Sequence, residues 1–284
     1  MDSELRQLQL KCLEIFDIVN RICEKHDILY SLCGGTVVGA HLYKAFLPWD
    51  DDIDIMMTRK NFNKFLKVAP QELPEGYSIV NYQNSDESTI WKICFTKIIN
   101  DKTTIIQENG DIMGVFLDVD IYDKVPEGPL KYIDMFLCDR ILTINKGVVE
   151  GNGLKNKLRN VFLKIVFPNR RKYLMFFQKV AEWLGQVPGR YTYRELFGAY
   201  HGYNKLPYEA RIFENYMTIE FEGRRAMIVC DYIDYLQTRY NRTDFHEPKE
   251  KQIAPHYIYV NFNKPYKEFM REKNLSIPSM EDIK

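Results

Sequence analysis

The chain has 284 residues, 45% of them hydrophobic and 27% charged, and its 39 basic and 39 acidic side chains cancel to a formal net charge of zero. That profile belongs to a folded globular chain rather than a disordered one, and the balanced charge gives no global electrostatic case for nucleic acid as a partner. Cys12, Cys23, Cys33, Cys94, Cys138 and Cys230 form no CxxC pair and mostly sit in apolar runs. Reduced thiols in a cytoplasmic protein fit that pattern better than a zinc site or a disulfide framework. The N-terminus carries early acids and lacks the order of a signal peptide, and no stretch reaches the ~18 apolar residues of a bilayer span.

In chain order, Leu5, Leu8, Cys12, Ile15, Val19 and Ile22 recur at steps of three and four, which predicts an amphipathic helix over 3–26 capped by Ser3. Ile28–Leu32 reads as a short buried strand running into Cys33-Gly34-Gly35-Thr36, and Val37–Leu42 as a short helix. Glycines between a strand and a helix start let backbone N–H groups approach a phosphate, so Gly34, Gly35 and Thr36 are candidate substrate contacts. Asp51–Met57 alternates acid and aliphatic, the period of a strand, and Thr58 can cap a following helix with Phe62, Phe65 and Leu66 as its apolar stripe. Strands follow at Ser78–Tyr82, Ile90–Ile99, Thr103–Gln107 and Val115–Ile121.

After Pro126 the texture turns helical for about 80 residues. Tyr216–Glu222 and Arg225–Val229 read as a hairpin, Asp231–Tyr240 as a helix, and the chain beyond Phe262 as a loosely held polar tail. The expected class is α+β, a mixed sheet with an added helical segment. Residues 1–126 form the core, 127–210 a mainly helical basic lobe, 211–262 a section returning to the core, and 263–284 the tail.

The chemistry is concentrated in Pro48-Trp49-Asp50-Asp51-Asp52-Ile53-Asp54. On a strand Asp52 and Asp54 share a face, and two adjacent carboxylates repel unless a cation lies between them. Mg²⁺ suits such a site, because it takes oxygen ligands from one or two carboxylates plus substrate phosphates, and Mn²⁺ can take its place. A third ligand is available from Phe116-Leu117-Asp118-Val119-Asp120, where pattern alone does not separate Asp118 from Asp120.

Gly35-Thr36-Val37-Val38-Gly39-Ala40 followed by Phe46-Leu47-Pro48-Trp49-Asp50-Asp51-Asp52-Ile53-Asp54 resembles the LicD family of phosphocholine transferases, which have a nucleotidyltransferase fold and are related to the fukutin-type transferases. Arg59, Lys97 before Asn100-Asp101-Lys102-Thr103, and Asp118 with Asp123 and Pro126 agree with it, and the likeness runs over about 10–125 and 210–260. The resemblance implies a CDP-linked donor, CDP-choline foremost, and a hydroxyl of a cell-surface glycan such as lipopolysaccharide or teichoic acid as acceptor. It places Asp52, Asp54 and Asp118 at the metal and in catalysis, and Lys97 and Arg59 at the departing phosphate. Where the family reads Val-Arg-His-Lys-Gly-Phe, this chain has Leu42 and Ala45 in place of the arginine and glycine, and Lys44 remains as a substrate contact.

Residues 151–181 contain eight Lys and Arg and no Asp or Glu, interleaved with apolar residues. Such a stretch suits either a solvated lobe or peripheral contact with the inner face of a membrane. Rival functions are a CDP-ribitol or CDP-glycerol transferase, a true nucleotidyltransferase, and a non-catalytic membrane-associated binding module.

Overall fold

The computed structural model describes residues 3–81, 96–108, 110–136, 158, 161–162, 165, 170–195, 207–241, 245 and 256–273. The first helix, α1 (Glu4–Lys25), starts where Ser3 accepts a hydrogen bond from the Arg6 N–H at 3.2 Å, and buries Leu8, Cys12, Ile15, Val19 and Ile22. Each large apolar side chain so buried contributes about 1.5–3 kcal/mol.

The chain then forms β1 (Ser31–Leu32), α2 (Gly34–Tyr43), β2 (Asp54–Thr58), α3 (Arg59–Glu72), β3 (Tyr77–Val80), β4 (Thr96–Gln107) and β5 (Ile112–Pro126). After these come α4 (Arg170–Leu184), β6 (Tyr191–Glu195), β7 (Tyr208–Glu209), a 3₁₀ turn (Ala210–Phe213), β8 (Tyr216–Phe221), β9 (Arg224–Val229), α5 (Tyr232–Tyr240), β10 (Tyr257–Asn261) and α6 (Tyr266–Glu272).

The main sheet runs β1-β2-β5-β4-β10, with β3 on β4 and β6 joining β5 to β7. Among the described residues only β2 and β5 pair in parallel; the other ladders are antiparallel. Ile55, Met57, Ile98, Leu117, Val119 and Ile121 are all at most 1% exposed, so the three central strands carry the core. The α+β class expected from the sequence is the one observed.

Several boundaries differ from the sequence reading. Residues 50–53 are not strand, and β2 begins at Asp54, where pairing with Asp118 begins. Helix α2 begins at Gly34 rather than Val37, with Gly34 at φ +57°. Thr58 stands at the N-cap of α3 but makes no side-chain cap bond, because its hydroxyl accepts from Asn61 instead.

The expected break between two strands near residue 100 is an irregularity within the single strand β4. The Thr103 hydroxyl donates to the Asn100 carbonyl at 2.8 Å and accepts from the Val115 N–H at 2.8 Å. Gly114 makes this possible, since a Cβ there would lie 2.1 Å from the Asn100 oxygen.

Two larger corrections concern the C-terminal half. The stretch expected to be helical contains β6, which extends the core sheet along β5. The polar tail contains α6, with Tyr266 and Met270 at 3% and 2% exposure against the core. Tyr266, Phe269 and Met270 are spaced three and four apart, a signal outweighed in the sequence by surrounding charges. Residues 90–95 of the expected strand Ile90–Ile99 lie outside those described, as does all of 137–157.

Candidate metal centre

The parallel pairing of β2 and β5 sets Asp54 directly beside Asp118, and the Asp118 N–H donates to the Ile53 carbonyl at 3.0 Å. The turn into α2 clasps the same point from above. The Asp54 N–H donates to the Thr36 hydroxyl at 2.9 Å, and the Cys33 N–H to the Asp54 carbonyl at 3.1 Å. Helix α1 holds the loop before β2, where the Gln9 amide donates to the Asp50 carbonyl at 2.9 Å. Asp51 is buried and accepts from the His256 N–H at 2.9 Å, which ties the loop to the start of β10.

Within this frame Asp52, Asp54 and Asp118 each present a carboxylate oxygen within 4.8 Å of the others. Asp50, Asp51 and Asp52 form a second set meeting the same limit. Asp50 was not singled out in the sequence, where it reads as part of a turn. Its Oδ2 is buried and has no hydrogen-bond partner.

Gly34 and Gly35 face these acids. A Cβ on Gly34 would sit 2.8 Å from Asp54 Oδ2, and one on Gly35 would sit 2.9 Å from Asp50 Oδ2. The glycines therefore make room for carboxylates, and the Gly34 N–H, expected to face a phosphate, donates to the Tyr235 hydroxyl at 3.3 Å.

The electrostatics follow from this crowding. Burial, then the Asp54 and Asp51 charges, pushes Asp50 up to about 8. Asp52 is raised well above the ordinary range by burial and then by Asp50, Asp51 and Asp118. Asp54 is raised likewise by burial, Asp52 and Asp118. Asp118 is raised by burial, with Lys97 opposing. All four side chains are nonetheless only partly covered, so the cluster opens towards solvent.

Carboxylates that repel one another, one with an orphaned oxygen, in a half-open recess, are a donor set that fits a hard divalent cation. Lys97 supplies the nearest positive charge. It stands opposite Asp118 in the β4–β5 ladder, holds both Asp118 oxygens at 2.6 and 2.8 Å, and lies 3.5 Å over the Phe116 ring.

Asp118 and Asp120, inseparable by pattern, have different surroundings. Asp120 is buried deeper, faces Cys33 Sγ at 3.7 Å and Arg239 at 4.0 Å, and belongs to neither set of converging carboxylates. Arg239 also binds Glu195 at 3.0 Å and the Tyr122 hydroxyl at 3.4 Å, and its charge lowers the Asp54 carboxyl against the larger effect of burial. No sequence signal marked Arg239, because it reads as one of many arginines on a helix.

Two expected contacts are placed elsewhere. Arg59 is buried in a two-pronged pair with Asp123, at 2.7 and 2.9 Å, beyond the far end of β2 from Asp54. Lys44 is exposed and pairs with Glu220 at 3.0 Å.

Comparison with known proteins gives the family. Residues 27–121 match the LicD/FKTN/FKRP nucleotidyltransferase domain. The lipopolysaccharide cholinephosphotransferase LicD of Haemophilus influenzae is 30% identical over 260 residues, covering 89% of this chain and 96% of that protein. The chain belongs to the LicD family.

Similarity to LicD thus extends past the two blocks read from the sequence and reaches across the stretch between them. An uncharacterized protein of Rickettsia prowazekii is 24% identical over 132 residues, 44% of this chain and 46% of that protein. The matched LicD domain contains Asp50, Asp51, Asp52, Asp54, Asp118 and Lys97, whereas Arg239, beside Asp120, and its partner Glu195 lie outside it. Among the described residues no helix is long and apolar enough to cross a membrane.

Proposed function

We infer that the protein transfers phosphocholine from CDP-choline to a hydroxyl of lipopolysaccharide or a related cell-surface glycan, with a divalent metal held by Asp52, Asp54 and Asp118 and joined by Asp50. The observation that carries this reading is the convergence of carboxylates from β2, β5 and the loop before β2, in a chain similar along most of its length to a cholinephosphotransferase. Held by these carboxylates, Mg²⁺ would neutralise diphosphate charge and withdraw electrons from phosphorus.

The chain's own residues do the rest. The acceptor oxygen attacks the phosphorus that bears choline, the bond to the bridging oxygen breaks, and CMP leaves with that oxygen. The hydroxyl proton passes to a carboxylate oxygen of the cluster, for which Asp118 is the leading candidate. Lys97, on the cluster's edge, is the cation positioned to meet the departing phosphate.

The test is to incubate purified protein with Mg²⁺, lipopolysaccharide and, separately, CDP-choline, CDP-ribitol, CDP-glycerol and nucleoside triphosphates. Expected is CMP release from CDP-choline matched by choline phosphate on the glycan. CMP from only CDP-ribitol or CDP-glycerol overturns the donor assignment. Pyrophosphate from a triphosphate overturns the reaction class, and no product from any donor would leave a binding module.

A further inference from the structure

Exposed large apolar side chains are distributed unevenly over this molecule. Sixteen occur among the described residues, and ten of them lie between Tyr132 and Trp183. The most exposed set is Leu158 (62%), Val161 (55%), Phe162 (56%) and Ile165 (73%). Each of the four is helical, and steps of three, one and three are the spacing of residues that share a helix face. On α4, Phe176 and Trp183 are also exposed and stand seven apart, again on one face. A face of this size turned to water is costly unless something covers it.

Charge selects the cover. Residues 151–181 carry Lys155, Lys157, Arg159, Lys164, Arg170, Arg171, Lys172 and Lys179 with no acidic residue, so the rest of this neutral chain has a formal charge of −8. A symmetric contact between two copies of this face would set like charge against like. An anionic lipid surface meets both properties at once, taking apolar side chains into the acyl boundary while its headgroups attract lysine and arginine. Trp183 suits the same boundary, since an indole ring is apolar with one polar edge.

We propose that this face, centred on Leu158, Val161, Phe162 and Ile165, docks the protein peripherally on an anionic lipid bilayer. The docking involves none of the transfer chemistry, so it stands or falls separately from that reading. Where both hold, it brings the acidic site to a membrane that carries a lipid-anchored acceptor.

The experiment is sedimentation of the full chain with vesicles of phosphatidylethanolamine containing 30% phosphatidylglycerol, against phosphatidylethanolamine alone. Neither lipid carries choline, so the site described above does not contribute. Expected is binding to the anionic vesicles only, weakened at least about tenfold by 0.5 M NaCl. The double variant Phe162→Asp with Ile165→Asp should lose binding, and Arg170→Glu with Arg171→Glu should weaken it about tenfold. The Phe162/Ile165 variant should keep the wild-type circular dichroism spectrum and metal-free melting temperature, because both altered side chains are exposed.

Three results overturn the proposal: no sedimentation at low salt, equal binding to neutral vesicles, or wild-type binding by the folded Phe162/Ile165 variant. A concentration-dependent dimer that the same variant dissolves, without vesicle binding, also overturns it and assigns the face to a second copy.

Discussion

The two ends of the β2–β5 pair carry opposite electrostatic solutions. At one end Asp54 and Asp118 lie side by side with Asp52 and Asp50 nearby, and among the described residues Lys97 is the one cation hydrogen-bonded to any of these four carboxylates. At the other end, five residues on, Arg59 and Asp123 form a buried pair with two hydrogen bonds. Charge is present at both ends, but it is compensated at one and left in excess at the other. A buried ion pair with good geometry is a structural feature that resists loss of either member. Like charges packed together against burial are a cost to the fold, tolerated where a ligand relieves it.

The comparison can be broken most sharply at the acidic end. Asp54→Asn or Asp52→Asn should reduce CMP release from the CDP donor by about 1,000-fold or more. The same variants should melt at or above the wild-type temperature without metal, since each removes one repelling charge. Activity within tenfold of wild type would remove that residue from the mechanism.

At the compensated end the expected pattern is reversed. Arg59→Ala leaves Asp123 buried without its guanidinium and should cost about 3–5 kcal/mol in urea unfolding. Activity per folded molecule should stay within a few-fold. A folded Arg59→Ala protein whose main defect is a raised KM for the donor would return Arg59 to the substrate.

A third test uses pH. The acidic cluster holds protons in the folded state that free aspartates lose, so folded molecules bind more protons than unfolded ones from about pH 4 up to about 8. Stability without metal should therefore fall as pH rises through that window. Added Mg²⁺ should raise the melting temperature more at pH 8 than at pH 5.5, and this difference should vanish in Asp54→Asn. A metal-free melting temperature that climbs from pH 5.5 to 8 would contradict the crowding.

The smallest effect belongs to Lys44. Its pair with Glu220 is more than half exposed on both sides, so Lys44→Ala should shift stability by no more than about 0.5 kcal/mol and leave the donor KM unchanged. A severalfold rise in that KM would show that Lys44 leaves Glu220 to hold the donor.

The sequence by itself determined the parts whose signal is local. The three- and four-residue steps of α1, the acid–aliphatic alternation of β5 and the Pro48–Asp54 string are consequences of periodicity and composition within short windows. They were enough to name Asp52 and Asp54 and to narrow the third acid to Asp118 or Asp120.

What only the tertiary structure decided depends on strand register and burial. Asp118 and Asp120 lie two apart on one strand and read alike, yet Lys97 stands opposite one and Cys33 and Arg239 beside the other. Asp50 looks like a solvated turn residue until Gly35 is seen against its carboxylate, and Arg59 looks like a substrate contact until Asp123 is found beneath it. Pairing partners from distant parts of the chain fix whether a charge is compensated, and no window of sequence contains both members.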